Sequence, residues 1–239
     1  MAQLQSIPPE TTKNSPYILS VSNLAVKFQH NVILDNISFK VERGTTLAIV
    51  GPNGAGKTIL FKALLGLVPH AGEVKLSGDI RIGYVPQRFS VPDVPITVNE
   101  FLSLKCKTDF EESLHVVGLD AKSILHKKIN VLSGGEMQRV LIAWAIVDKP
   151  DILLFDEPTT NIDIGSEEII YETLNKLEKT LNMTILLISH DIHVIIQYSD
   201  YVLALNKSTI FYGDSKKLSD QTLLRKIYGT DLVLARHEH

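Results

Sequence analysis

A glycine-rich octapeptide, Gly51-Pro52-Asn53-Gly54-Ala55-Gly56-Lys57-Thr58, stands between two apolar patterns of different period, and its placement restricts the fold more than any other feature. Thr46 to Val50 reads as a strand, and Leu60, Phe61, Leu64 and Leu65 mark one face of a helix that stops at Gly66. Strand, glycine-rich turn and helix in that order make a phosphate cradle. The glycines let backbone N–H groups wrap an anion, and the helix presents its positive end to it. Lys57 is placed to reach β- and γ-phosphates, and the Thr58 hydroxyl to join the shell of a Mg²⁺ ion, which prefers oxygen ligands. The pattern G-x-x-x-x-G-K-[ST] arises by chance in about 1% of chains of this length, so the flanking strand and helix carry part of the argument.

The rest of the chain supplies a sheet for that loop to sit on. Ile18, Val21, Leu24 and Val26, then Val32, Leu34, Ile37 and Phe39, alternate with polar residues, and turns fall at Gln29-His30-Asn31 and Glu42-Arg43-Gly44. Gly72 to Leu76 and Ile80 to Val85 predict two short strands, the second ending at Pro86-Gln87. From about Ile96 to Val147 the pattern is helical, with capping boxes expected at Thr97/Glu100 and Ser133/Glu136. A strand over Ile152 to Phe155, a helix carrying Ile170, Leu174, Leu177 and Leu181, and a strand over Thr184 to Ser189 then restore a βαβ alternation, which argues for a parallel sheet covered by helices. Tyr201 to Leu205 and Thr209 to Tyr212 read as a hairpin turning at Asn206-Lys207-Ser208, before a last helix around Thr222 to Tyr228. No internal repeat is visible, so one nucleotide unit is expected.

Composition excludes several alternatives. With 44% hydrophobic and 21% charged residues and a net charge of -3, the 239 residues describe an ordinary globular chain, neither disordered nor fibrous, and without the overall basic charge of a nucleic-acid binder. Cys106 is the single cysteine, which excludes an internal disulfide. The longest purely apolar run, Leu141 to Val147, is far short of the ~20 residues that span a bilayer, so a membrane role requires a partner. The proline-bearing residues 1–16 do not read as a signal peptide and are expected to form a flexible arm. Terminal His237 and His239 flank Glu238, where a frayed tail is the simpler reading than a metal site.

Two further motifs follow the loop in fixed order. Asp156 ends the apolar run Ile152-Leu153-Leu154-Phe155, at the strand edge where parallel sheets bind ligands, and is expected on the Mg²⁺ side; Glu157, one residue on, is the candidate for polarising an attacking water, the alternative being a helix cap. Between loop and strand stands Leu132-Ser133-Gly134-Gly135-Glu136-Met137-Gln138-Arg139. Ser133 caps a helix that begins with two glycines, leaving a bare positive end that a self-contained nucleotide site does not need.

In these three motifs, over about residues 17 to 215, the chain resembles the ATP-binding cassette ATPases, and most of all the zinc and manganese importer subunits. The resemblance implies an α/β fold with a P-loop NTPase core, in which a mixed sheet with helices is joined by an antiparallel β subdomain and by a small all-helical subdomain. It divides the chain into an arm (1–16) and one ATPase domain (17–235), with residues 17–88 and 150–235 as catalytic core and 89–149 as the helical block. Residue by residue it implies that Gln87 senses Mg²⁺ and water, that His190 contacts the γ-phosphate, and that Asp163 lies in a loop passing between subunits. It also implies that Ser133, Gly134 and Gly135 close on ATP held by a second copy. Phe28 occupies the place where an aromatic stacks on adenine, a strand-core phenylalanine being the alternative. The implied cofactors are ATP and Mg²⁺. The implied partners are a second copy in an ATP-dependent head-to-tail dimer, multi-spanning permease subunits and an extracytoplasmic metal-binding protein, with no nucleic acid, at the cytoplasmic face of a bacterial inner membrane. A soluble cassette that assembles another complex and the motor of an exporter are the alternatives.

Overall fold

Alternating burial along two long strands builds the first layer. β1 (Tyr17–Phe28) pairs antiparallel with β2 (Asn31–Glu42) and, after β3 (Thr46–Val50) and α1 (Lys57–Leu64), with β4 (Ala71–Leu76), giving a three-stranded sheet of order β2-β1-β4. This computed structural model describes residues 15–87, 95–105, 110–157 and 164–229. Each residue that points inward from β1 and β2, such as Leu24, Val26, Leu34 and Ile37, is fully buried over α1, whose Leu60 and Phe61 are also fully buried.

The second layer is a six-stranded sheet of order β5-β6-β7-β3-β8-β9, formed by β5 (Ile82–Val85), β6 (Ile152–Asp156), β7 (Thr184–Ile188), β8 (Tyr201–Asn206), β9 (Ser208–Asp214) and β3. The first five strands run parallel and β9 returns antiparallel beside β8. In β3, β6 and β7 every residue is buried, as expected of central strands covered on both faces. Their side chains divide by period two. Leu47, Ile49, Leu154 and Ile188 join α1 and the antiparallel sheet, whereas Leu153, Phe155, Ile185 and Leu187 face a separate core of helices.

Those helices are α2 (Val98–Ser103), α3 (Glu111–Val116), α4 (Ala121–Ile124) and α5 (Gly134–Ile146), which lie between β5 and β6 in the chain, and α6 (Ile164–Leu181), between β6 and β7. Both expected capping boxes form: Thr97 with Glu100 opens α2, and Ser133 with Glu136 opens α5. Leu102, Leu114, Val140 and Ile142 are fully buried here, each worth roughly 1.5–3 kcal/mol of apolar burial. A third cluster covers Ala48, Val50, Val202 and Ala204 with α7 (Ile192–Tyr198) and α8 (Gln221–Tyr228).

Three differences from the sequence expectations have physical causes. β5 starts at Ile82 rather than Ile80, because Arg81 turns both backbone groups to Asp151: its N–H donates to the carboxylate at 2.9 Å and its carbonyl accepts from Asp151 N–H at 2.9 Å. Leu181 is 52% exposed despite its helical spacing with Ile170, Leu174 and Leu177, since it ends α6 at the rim of a cleft. The third is α7, absent from the sequence reading, where Asp191 takes the N–H groups of His193 (2.9 Å) and Val194 (3.1 Å) as an N-cap.

Candidate functional site

The glycine-rich loop connects the C-terminal end of β3 to α1 at the middle of the six-stranded sheet. Gly51 has φ 145°, and a Cβ there would meet the Leu205 carbonyl oxygen at 2.1 Å; Gly56 has φ 97°, and a Cβ there would meet Leu34 Cδ2 at 2.5 Å and the Ile33 carbonyl oxygen at 3.1 Å, both of β2. The loop is therefore wedged between β8 on one side and β2 on the other. Lys207 braces it from outside: its N–H donates to the Ala55 carbonyl (3.0 Å) and its carbonyl accepts from Asp35 N–H (2.7 Å). Gly56 is the N-cap of α1 and offers no side-chain cap, so the first N–H groups of the helix point into the loop as an anion site. Pro52, Asn53 and Gly54 line the outer arc, with Asn53 and Gly54 exposed, whereas Ala55 is buried beneath it.

Lys57 is buried, and its Nζ donates to the carbonyls of Gly51 (2.9 Å) and Pro52 (3.2 Å), which stretches the ammonium across the loop mouth. Burial pushes the Lys57 pKa below its ordinary value, while the carboxylates of Glu157 and then Asp156 oppose that shift. Thr58, the next residue, donates its hydroxyl to Asp156 Oδ1 at 3.3 Å, and the Tyr84 hydroxyl reaches Asp156 Oδ2 at 3.5 Å. Asp156 is only 1% exposed; burial pushes its pKa up, the hydroxyls of Thr58 and Tyr84 and the Lys57 charge pull it down, and Glu157 adds to the rise. This donor set, a hydroxyl and a carboxylate oxygen beside a phosphate cradle, fits Mg²⁺, which takes one or two protein oxygens and fills its octahedron with phosphate and water.

Glu157 leaves the strand in a left-handed backbone conformation (φ 45°), rare for a residue with a side chain and common at functional turns. Its N–H donates to Ile188 O at 3.1 Å, and its carboxylate accepts a hydrogen bond from the Gln87 side-chain amide. The next described helix, α6, is first described at Ile164. His190 follows the end of β7, the strand paired with β6, and is exposed; beside it Ser189 accepts from Asp191 N–H at 3.1 Å. The structure thus gathers the loop, Thr58, Asp156, Glu157 and Gln87, and sets His190 at the adjoining strand end.

Two expected elements stand apart from this group. Ser133 and Gly134 are exposed at the start of α5 and Gly135 is buried there; among the described residues, no hydrogen bond found ties them to the loop. Ser133 Oγ accepts from Glu136 N–H (3.1 Å) while the Glu136 carboxylate accepts from Ser133 N–H (3.0 Å) and pairs with Lys127 (2.8 Å). The Lys127 ammonium first, then the Ser133 backbone, hold the Glu136 carboxyl below the ordinary range. Phe28 is 41% exposed at the end of β1, which removes the strand-core alternative. Asp163 lies outside the described residues. A cleft of about 340 Å³ is found at the opposite end of the sheet, around Ile18, Arg43, Val147 and Met183, where Lys149 is already paired with Glu112 at 2.9 Å; nothing there resembles a phosphate cradle. Tyr84 is the contact that sequence reasoning missed. It stands in β5 three residues before Gln87, on the strand beside the one that ends in Asp156, and parallel pairing of those two apolar runs was the signal for it.

Known proteins agree with this geometry. The profile of the ABC transporter family matches residues 34–160. A zinc import ATP-binding protein, ZnuC of Wigglesworthia glossinidia brevipalpis, is 38% identical over 217 residues, covering 89% of this chain and 93% of that protein. Among solved structures, cbiO1 of Clostridium perfringens, part of the ABC transporter complex cbiONQ, superposes with a TM-score of 0.76 at 26% identity, covering 93% of this chain and 97% of that one. A dimeric post-hydrolysis state of the cassette MJ0796 bound to ADP and Pi superposes with a TM-score of 0.69 at 26% identity over 82% of this chain and 98% of that one. The chain belongs to the ABC transporter family, as one of its ATP-binding cassettes, and it is an ATPase.

Proposed function

We propose that this cassette powers zinc import through separate membrane subunits, and that two copies, arranged head to tail, form the working unit. The observation that carries the catalytic part is the Gln87 amide on the Glu157 carboxylate, one residue beyond Asp156 and its Thr58 contact. In this reading the Gly51 to Thr58 backbone and the Lys57 charge bind and orient the ATP phosphates, and Phe28 stacks on adenine. Thr58, Asp156 and Gln87 would hold Mg²⁺, which when bound neutralises phosphate charge. Glu157 holds the attacking water by accepting its proton, and Gln87 fixes the carboxylate's orientation. His190, exposed beyond the end of β7, would donate to the γ-phosphate, and Asp163 would line the seam between copies.

The pair follows from what one chain lacks. Ser133 and Gly134 stand exposed at the start of α5, with Gly135 buried behind them, and this helix start has anion-binding character. A second copy turned head to tail supplies the γ-phosphate, and the dimeric cassette among the similar structures supports that arrangement. Zinc as cargo is supported by zinc import ATP-binding proteins that are 34–38% identical to this chain, and in this reading the metal crosses through the permease rather than this subunit. Among the described residues no helix is long and apolar enough to cross a membrane; in this reading the permease is a separate partner, with a metal-binding protein on the far side delivering to it. The work is done at the cytoplasmic membrane face, where ATP is available.

The test uses Glu157→Gln, which is expected to bind MgATP without hydrolysing it. The expected result is a stable dimer in gel filtration with MgATP and a monomer without it, with Lys57→Ala remaining monomeric throughout. A Glu157→Gln chain that binds MgATP and stays monomeric overturns the paired reading. Loss of zinc uptake in cells carrying Lys57→Ala checks the cargo, and unchanged uptake refutes it.

A further inference from the structure

We propose that Tyr84 is a positioning residue for the cation of MgATP: its hydroxyl holds Asp156 Oδ2 so that Oδ1 faces Thr58 and the metal. The proposal rests on the ATPase reading of the site and adds a residue that the glycine loop, the strand-end carboxylates and Gln87 do not include.

Asp156 is enclosed in a way that leaves few alternatives. It ends β6 on the face that carries Ile152 and Leu154, the face packed against α1. On the neighbouring strand β5, Tyr84 pairs with Leu154 and packs into the same cluster, with its ring edge-on to Phe61 of α1 (centroids 6.5 Å apart, 90° between planes). The ring is thereby fixed from one side, and its hydroxyl meets Asp156 Oδ2 at 3.5 Å while Thr58 meets Oδ1 at 3.3 Å. Each carboxylate oxygen has one hydroxyl.

The consequence for metal binding is directional. A carboxylate 1% exposed turns about its last torsion unless something holds it, because that torsion is broad and two-fold. Tyr84 removes this freedom by occupying the oxygen that the cation does not use. Without the hydroxyl, Asp156 has one fixed contact instead of two, and the orientation presented to Mg²⁺ becomes one of several. ATP itself, bound through the loop backbone and Lys57, does not depend on that orientation.

Tyr84→Phe removes the hydroxyl and keeps the ring against Phe61. The test measures binding of a fluorescent ATP analogue to the purified chain with Mg²⁺ titrated from zero, with thermal unfolding alongside. The expected result is unchanged affinity without Mg²⁺ and about fivefold more Mg²⁺ needed for half of the metal-dependent gain, the effect of losing one hydrogen bond that is weak for a carboxylate at 3.5 Å. A Mg²⁺ requirement within about twofold of native in Tyr84→Phe overturns the proposal. Equal weakening with and without Mg²⁺ also overturns it, since that is the mark of a packing role. Tyr84→Ala serves as the packing control, and it should lower the unfolding temperature where Tyr84→Phe does not. A native chain that binds no ATP at all refutes the ATPase reading instead, so the two failures are distinguishable.

Discussion

Replacing Ser133 separates helix capping from nucleotide-driven pairing, because this one side chain is assigned both tasks. Within the chain its Oγ accepts from Glu136 N–H at 3.1 Å and closes the capping box at the start of α5. Ser133→Ala removes that acceptor at a cost of about 1 kcal/mol, typical of an N-cap. For a chain of this size the loss lowers the unfolding temperature by about 2–4 °C. Across the pair, the same hydroxyl is expected to touch phosphate, and losing a hydrogen bond to a charged group lowers ATPase activity about ten- to a hundredfold. Ser133→Asp distinguishes the two roles. Aspartate is as good an N-cap as serine, so its unfolding temperature should lie within about 2 °C of native. Its charge repels phosphate, so MgATP-dependent dimerisation and turnover should be lost. Glu136→Gln keeps an acceptor for Ser133 N–H and loses only the Lys127 pair, whose partners are 44% and 24% exposed; it should cost less than about 1 kcal/mol and leave turnover near native. Differential scanning calorimetry and a phosphate-release assay read both axes. Native turnover in Ser133→Asp would refute the pairing argument, and a native unfolding temperature in Ser133→Ala would refute the capping one.

Two other expectations follow from particular contacts. Gly51→Ala puts a Cβ 2.1 Å from the backbone carbonyl of Leu205, a β8 residue held by its pairing with Thr209 of β9; a stability loss of at least about 2 kcal/mol and loss of ATP binding are expected in calorimetry and nucleotide titration, and a variant with native affinity refutes the packing account. Glu178 is half-buried with its carboxylate on the Thr46 hydroxyl, and burial above all, with the Asp200 charge adding and Thr46 and Lys179 opposing, pushes its pKa up. The folded state therefore prefers the proton, and Glu178 costs stability as pH rises from the ordinary carboxylate range through the raised value. Glu178→Gln mimics the protonated form, so its unfolding temperature should exceed native at pH ~7 and converge with it near pH ~4; the opposite order contradicts the argument.

What could be read from the sequence follows the range of each interaction. The strand, loop and helix around Lys57 are contiguous, and so are both capping boxes; period and spacing suffice for features of that kind. Asp156 was legible because four buried residues announce the strand it ends. The neighbours that give it its chemistry were not. Tyr84 lies 72 residues away, and only the pairing of β5 with β6 brings the two together. The hydrogen bond from Gln87 to Glu157 spans 70 residues in the same way. The position of β3 between β7 and β8, which places the loop at mid-sheet, is a non-local choice that no local pattern states. Phe28 shows the limit from the other side: alternation along β1 located the residue, but whether its ring met core or surface depended on the register at the strand's end, opposite Asn31.

The turn at Lys207 bears on how this protein can be handled. It is an exposed tip of a surface hairpin, with the positive φ (63°) of an ordinary tight turn, and by appearance is the natural place to graft an epitope, a fluorophore-binding tag or new chain ends. Its backbone is not spare, however: N–H and carbonyl are committed to Ala55 and Asp35, on the phosphate loop and on the opposing sheet. Insertion there would loosen the joint that keeps two sheets in register around the nucleotide, and the harm would surface as lost catalysis in a chain that still folds. A label carried on a side chain fits the exposed Leu67 beyond α1, a residue 66% accessible, where an insertion would instead break the hydrogen bond from Leu67 N–H to the Lys62 carbonyl (2.8 Å).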